Sequence, residues 1–358
     1  MRSRARATVA VGASVLVMLP GFPAQASAGS ATAPVRTITK GLDGPYGLDF
    51  LSPRTAVVAE GDTGEVTTVD LKTGKQRTII SGLAGPSGVA THNGRIYVQL
   101  GGEPVPGAKY PAGALLVADR TGKHVRVLAD LMAYELKHNP DGQKQFDDKQ
   151  QPYDALSNPF SITWTKWGLL VADGGANDVL RVNPRTGKVS TFFVPPNPRT
   201  KECLAAGAQA NPGTVGCDSV PTGVAVRGRY VYVSTLGAEQ PGAAVIYQLD
   251  GHTGRVVHKW KGFTSLTGIA VAPHGTIYTS EVLFNAPPGE EPPPGFDPST
   301  VGRLTRLDHG RVTHAAVTMP TGLRYVNGHL YATSWSIASF LRIPKAGQLV
   351  DVSRKAFR

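Results

Sequence analysis

The chain has 358 residues and a formal net charge of +11, with 41% hydrophobic and 18% charged residues; this apolar content excludes a disordered chain. Its 42 glycines and 28 prolines make about a fifth of the sequence turn-forming, too little for collagen but enough to imply many short elements. The first element is an address. Arg2, Arg4 and Arg6 precede an acid-free apolar run over 7–19, with Ala24-Gln25-Ala26 and Ala26-Ser27-Ala28 behind it, the layout of a secretory signal peptide. The run is too short to span a bilayer and no second one follows. Residues 1–28 are therefore expected to direct export, leaving a secreted, extracellular protein with no transmembrane segment.

Beyond it a short motif recurs: Gly44-Pro45-Tyr46-Gly47-Leu48, Gly85-Pro86-Ser87-Gly88-Val89, Asn158-Pro159-Phe160-Ser161-Ile162, Val220-Pro221-Thr222-Gly223-Val224, Leu266-Thr267-Gly268-Ile269 and Met319-Pro320-Thr321-Gly322-Leu323. Each copy is followed by an alternating segment, among them Ala56-Val57-Val58-Ala59, Arg95-Ile96-Tyr97-Val98 and Tyr230-Val231-Tyr232-Val233. A third strand and then a fourth follow, as at Val179-Leu180-Arg181-Val182 and Lys188-Val189-Ser190-Thr191-Phe192. The alternation has period two and no long window shows helical periodicity. Four strands per unit and six units describe an all-β, six-bladed β-propeller over 35–353. The Pro-x-Gly pairs would open the innermost strands, where small residues let six strands crowd round an axis. Residues 36–42 resemble 77–83, the outer strand of a blade, so N- and C-terminal strands are expected to close the ring together. Residues 348–352 compete for the outermost place.

In such blades the turns joining first to second and third to fourth strands lie on one face, and these are all short. The long insertions, 101–113, 130–158, 195–220 and 284–302, belong to the other face, together with the channel mouth, and mark it as the functional surface. Charge divides the same way. The short turns carry Lys72, Lys75, Arg120, Lys123, Arg185, Lys188 and Arg255, a basic underside suited to an anionic cell-surface polymer. The opposite face is offered Glu60, Asp62, Glu103, Asp173, Asp178, Glu239, Glu281, Glu290 and Glu291. Cys203 and Cys217, the two cysteines of the chain, share one loop and are expected to form a disulfide in an oxidising compartment.

Residues just past each second strand should ring the mouth: Glu60, Gln99, Asp173, Ser234 or Thr235, Glu281 and Ser334, joined by Asn158, Asn177 and Asp178. With the motif threonines Thr222 and Thr321, the residues Glu60, Gln99, Asn158, Asp173, Asn177 and Glu281 make the candidate ligand-binding set. Asn158, Asp173, Asn177 and Glu281 offer oxygen ligands of the kind Ca²⁺ takes, and such an ion can polarise a carbonyl. No Gly-x-Ser-x-Gly elbow, His-Glu-x-x-His or phosphate loop occurs, and no helix-turn-helix, finger or basic-aromatic stripe speaks for nucleic acid.

The stretch from Asn158-Pro159-Phe160-Ser161-Ile162 through Asp173-Gly174-Gly175-Ala176-Asn177-Asp178-Val179-Leu180-Arg181-Val182, with Val220-Pro221-Thr222-Gly223-Val224 and Pro320-Thr321-Gly322-Leu323, resembles the ScyD/ScyE family of exported bacterial proteins. The resemblance covers about residues 36–343. It implies a six-bladed propeller like those of NHL-repeat and gluconolactonase-type proteins, and it carries no established reaction. Where family members have Gly-Glu after the second strand of blade four, this chain has Ser234-Thr235. The leading expectation is a secreted monomer that binds a ligand, glycan or protein on its long-looped face. The alternative is a Ca²⁺-dependent hydrolase or lyase of lactones or esters at the channel mouth.

Overall fold

The computed structural model describes residues 34–205, 210–287 and 292–358. The signal-peptide segment, Glu290 and Glu291 lie outside the described residues. Six four-stranded antiparallel sheets stand in a ring. Blade one comprises β2 (Pro45–Ser52), β3 (Thr55–Glu60), β4 (Glu65–Asp70) and β5 (Gln76–Ile80), and blade two β6 (Pro86–His92), β7 (Arg95–Leu100), β8 (Ala114–Asp119) and β9 (Arg126–Asp130). Blade three runs through β10 (Pro159–Thr165), β11 (Gly168–Asp173), β12 (Asp178–Val182) and β13 (Val189–Phe193). Blade four has β14 (Pro221–Arg227), β15 (Tyr230–Thr235), β16 (Ala244–Asp250) and β17 (Val256–Phe263), and blade five β18 (Leu266–Val271), β19 (Ile277–Glu281), β20 (Arg303–Asp308) and β21 (Arg311–Ala315).

Blade six settles the closure. Its order from the outside is β1 (Val35–Leu42), β24 (Gly347–Val352), β23 (His329–Ser334) and β22 (Leu323–Val326). The N-terminal strand is thus outermost and residues 348–352 lie third from the axis, so the two ends of the ring pair with each other.

The core is divided as the fold requires. Each interface between neighbouring blades holds its own apolar cluster. Val57, Val66 and Ile80 meet Val89, Ile96 and Leu116 between blades one and two; Leu42, Tyr331 and Leu349 meet Leu48, Ala56 and Val58 between six and one. Period-two alternation supplies both faces of every blade, so each strand is apolar on alternate sides.

The longest of the few helices departs most from expectation. Residues Leu131–His138 form a helix, α1, capped by Asp130, whose carboxylate accepts the Ala133 N–H at 2.9 Å. Its buried positions are Leu131 and Glu135. A carboxylate on the inward face masks the apolar periodicity that would have announced the helix.

Candidate functional site

The mouth is built by the repeated motif. In five blades the residue before the motif's Pro or Leu is left-handed: Gly44 (φ 58), Gly85 (φ 52), Val220 (φ 50), Ser265 (φ 51) and Met319 (φ 43). The register of the first five inner strands then slips within the motif, as between Pro45 and Gly47 or Pro221 and Gly223, a bulge that turns the strand towards the axis. Here the small residue is needed: a Cβ on Gly47 would lie 2.8 Å from Gly88 Cα, and one on Gly268 would run into the Thr321 carbonyl oxygen. The middle residue of the motif does a separate job. Ser87 donates to the Pro159 carbonyl at 2.6 Å, Thr222 to Leu266 at 2.7 Å, Thr267 to Pro320 at 3.1 Å and Thr321 to Pro45 at 3.1 Å. Each hydroxyl therefore stitches its blade to the next. The two remaining middle residues, Tyr46 and Phe160, meet edge to face with ring centroids 6.0 Å apart. Burial, then the charge of Asp62, pushes the Tyr46 phenol up to about 12. The axial channel within this ring encloses only about 30 Å³, enough for a water or two.

Glu60 lies opposite Pro45, Asp173 opposite Pro159, Thr235 opposite Pro221 and Glu281 opposite Leu266. Gln99 does not share that position. Leu100 is the residue opposite Pro86, and Gln99 pairs one place on, with Gly88. The one-residue offset turns it to the other face of its strand, where it is fully buried with neither amide atom partnered. Thr235, rather than Ser234, is the blade-four counterpart.

The candidate residues are mostly occupied by neighbouring protein donors. Glu60 accepts the Asp43 N–H at 2.7 Å, and burial raises its pKa. Asp173, fully buried, takes Ser157 Oγ at 2.6 Å and the N–H groups of Asn158 at 2.6 Å and Ala176 at 3.2 Å. Asn158 accepts from Gly102 N–H, and Asn177 bridges Asp141 at 3.2 Å and the Val220 N–H at 3.0 Å. Glu281 is gripped by Arg303, with two contacts of 2.9 Å, and by the Thr305 hydroxyl. Asp173, Asn158 and Asn177 thus gather on blade three, while Glu60 and Glu281 sit on blades one and five. Among the described residues no three His, Cys, Asp or Glu side chains are grouped to hold a metal ion.

A roomier feature lies off the axis, where the insertions meet. Gln143 Nε2 donates to Asp218 at 2.6 Å and its side-chain Oε1 accepts the Asn211 N–H at 3.0 Å, tying insertion 130–158 to insertion 195–220. The Cys203–Cys217 disulfide, with Cα atoms 5.0 Å apart, is buried against Ala238 and Ala243 and anchors the second insertion. Between them opens a cleft of about 460 Å³ lined by Asp154, Asn211, Asp218, Leu236, Ala238 and Glu239. Among the described residues no basic side chain lines it. Burial, opposed by the Gln143 hydrogen bond and reinforced by Asp154 and Asp141, lifts the Asp218 carboxyl to about 6; burial likewise raises Asp154. A second, apolar depression of about 410 Å³ lies between 104–112 and α1, lined by Pro104, Val105, Tyr110, Pro111, Met132 and Leu136. Asp154 and Asp218 were not among the residues singled out in the sequence, because a carboxylate in an aperiodic loop carries no local signal of burial.

No protein-family model matches the chain, and no curated protein matches it. Solved structures do. A gluconolactonase from Xanthomonas campestris superposes with a TM-score of 0.54 at 11% identity, over 89% of each chain. The calcium-binding protein regucalcin from Agrobacterium tumefaciens gives 0.53 at 13%, over 88% of this chain and 92% of that one. An auxiliary nutrient binding protein from Bacteroides thetaiotaomicron gives 0.53 at 11%, over 88% and 75%. No helix among the described residues is long and apolar enough to cross a membrane. At these identities the likeness is one of fold, and the chain is a six-bladed propeller similar to proteins of the gluconolactonase and regucalcin kind.

Proposed function

We propose that this is an exported binding protein of the ScyD/ScyE type whose ligand site is the acidic cleft on the long-looped face. The carrying observation is the lining itself: Asp154, Asp218 and Glu239 face one cavity, with no basic side chain lining it among the described residues. Carboxylates left uncompensated in a partly desolvated site favour a positively charged occupant. The size suits a small amine or aminosugar, with Leu236 and Ala238 taking its apolar part. The buried disulfide supports an oxidising compartment.

Titration calorimetry with glucosamine and spermidine, against glucose as the neutral control, tests the reading. Binding of the amines is expected at pH 7 and should weaken as pH falls through about 6, where Asp218 takes a proton and its charge is lost. Asp218→Asn and Glu239→Gln should each weaken it about tenfold or more. Equal binding of glucose, or no amine binding at all, sinks the proposal. Ca²⁺-dependent hydrolysis of a lactone through Asn158, Asp173, Asn177 and Glu281 is the second reading. Less supports it, since Asp173 and Glu281 already spend their oxygens on protein donors.

A further inference from the structure

In blade three Asp173 and Asp178 stand directly opposite each other on neighbouring strands, an unfavourable pair unless its charge is neutralised. Blade five has Glu281 opposite Arg303 at the same place and is neutral in itself. Blade three has no such base. Burial, then the charges of Asp173, Glu135 and Asp141, disfavours an anionic Asp178, and Asn177 beside it donates to Asp141 of the α1 insertion at 3.2 Å.

Asp173 is provided for by one hydroxyl and backbone N–H groups. Asp178 is not: it is fully buried and neither of its carboxylate oxygens has a partner. Glu135, carried inward by α1 and only 2% exposed, gives Oε1 to Gln145 at 2.6 Å and leaves Oε2 buried without a partner. Asn139, one helical turn further along, uses its Nδ2 on the Gln143 carbonyl, while its Oδ1 is buried and unpartnered. The orphaned atoms are all oxygen acceptors, with no donor among them. Elsewhere among the described residues no other carboxylate oxygen is left in this condition. Buried acceptors with two formal negative charges are completed by a small divalent cation, since an organic cation would need a cavity.

We infer that Asp178, Glu135 and the amide oxygen of Asn139 form a Ca²⁺ site that fastens α1 and its insertion to blade three. Two carboxylates, rather than three, contribute. Ca²⁺ accepts such a mixed set of carboxylate, amide and water oxygens in irregular geometry, whereas Mg²⁺ demands a regular octahedron and sheds water reluctantly. None of the three residues lines the axial channel or the acidic cleft, and the inference does not rest on what that cleft binds.

The test uses the full protein stripped with EGTA and Ca²⁺ alone as the probe. One Ca²⁺ should bind per chain and raise Tm, with Mg²⁺ at the same concentration giving less. Asp178→Asn and Glu135→Gln should each weaken Ca²⁺ binding at least about tenfold. In EGTA both variants should melt no lower than the parent, because a repulsive charge has gone. A parent protein that neither retains Ca²⁺ nor changes its Tm at millimolar Ca²⁺ overturns the assignment. So does a Ca²⁺ response that survives in the Asp178→Asn/Glu135→Gln double variant, which would put the ion elsewhere.

Discussion

The hydroxyl in the middle of the motif shows how much one side chain can carry in a repeated fold. Ser87, Thr222, Thr267 and Thr321 each reach the carbonyl that opens the next inner strand. Those carbonyls sit where the bulge has disturbed the strand ladder, so the side chain supplies a donor that the backbone lacks there. Thr267 is buried and also bonds Ser280 Oγ at 2.8 Å. Thr267→Val keeps the shape and removes both bonds, leaving the Pro320 carbonyl short of a donor. It should cost about 1–3 kcal/mol, read as a lower urea midpoint with an unchanged m-value; a cost near zero would mean that water replaces the hydroxyl. The recurrence of Ser or Thr between Pro and Gly is visible in the sequence, but its meaning is not. Alternation says which strand the residue opens, and only the closed ring says that a neighbouring carbonyl faces it. Thr222 and Thr321 stand out as mouth residues for this reason, and the geometry gives them a role between blades.

At the level of elements, the turns between third and fourth strands repeat as a docking device. Asp70 Oδ1 accepts the N–H groups of Lys72 and Thr73, Asp119 those of Thr121 and Lys123, Asn183 those of Arg185 and Thr186, and Asp250 those of His252 and Thr253. These side chains close the turn locally. The glycine that follows presses against the outer strand of the preceding blade: Gly74 on the Ile38 carbonyl, Gly122 on Ile79, Gly187 on Leu128 and Gly254 on Phe192. Blade five has its own version at Gly310, with φ 83, and nothing lies within 4 Å of it. The pair separates two costs. Gly310→Ala should lose only the left-handed penalty of about 1–2 kcal/mol. Gly187→Ala, at φ 72, adds the collision with Leu128 and should lose about 2–5 kcal/mol in all. Equal losses in denaturant melts would show that the turn does not bear on its neighbour. Threonine-glycine followed by lysine or arginine reads in the sequence simply as a tight turn. Its basic residue suggested a charged underside, while the glycine beside it answers to the packing of blades.

Across the whole molecule, six apolar interfaces are equivalent in kind, but one of them is made by chain ends far apart in sequence. β1 pairs with β24 from Val35 opposite Val352 to Leu42 opposite Gly347. Its Leu42 is fully buried, and its Ile38 carbonyl receives the Gly74 turn of blade one. The repeat made the six-bladed ring legible, since it needs only periodicity and turns. The order within blade six was not, because residues 36–42 and 348–352 have the same alternation and only pairing across the closed ring ranks them. The acidic cleft was hidden for a related reason: it arises where two aperiodic insertions meet, as Gln143 meets Asp218, whereas Asp178 stands out at its strand end and only its companions Glu135 and Asn139 do not. Closure through a non-covalent strand has a consequence for the assembled molecule. Removing residues 1–42 would bare the edge of β24 and uncover the Leu349 side of its interface, and an open strand edge recruits another chain. The shortened protein should melt roughly 10 °C or more lower and elute as dimers and larger species. A synthetic peptide of residues 34–42, added in excess, should return it to the parent's elution volume and recover part of the lost Tm, since an extended segment can refill a vacant strand position. If the shortened chain elutes and melts as the parent does, the ring is held by its five other interfaces and the N-terminal strand is dispensable to it.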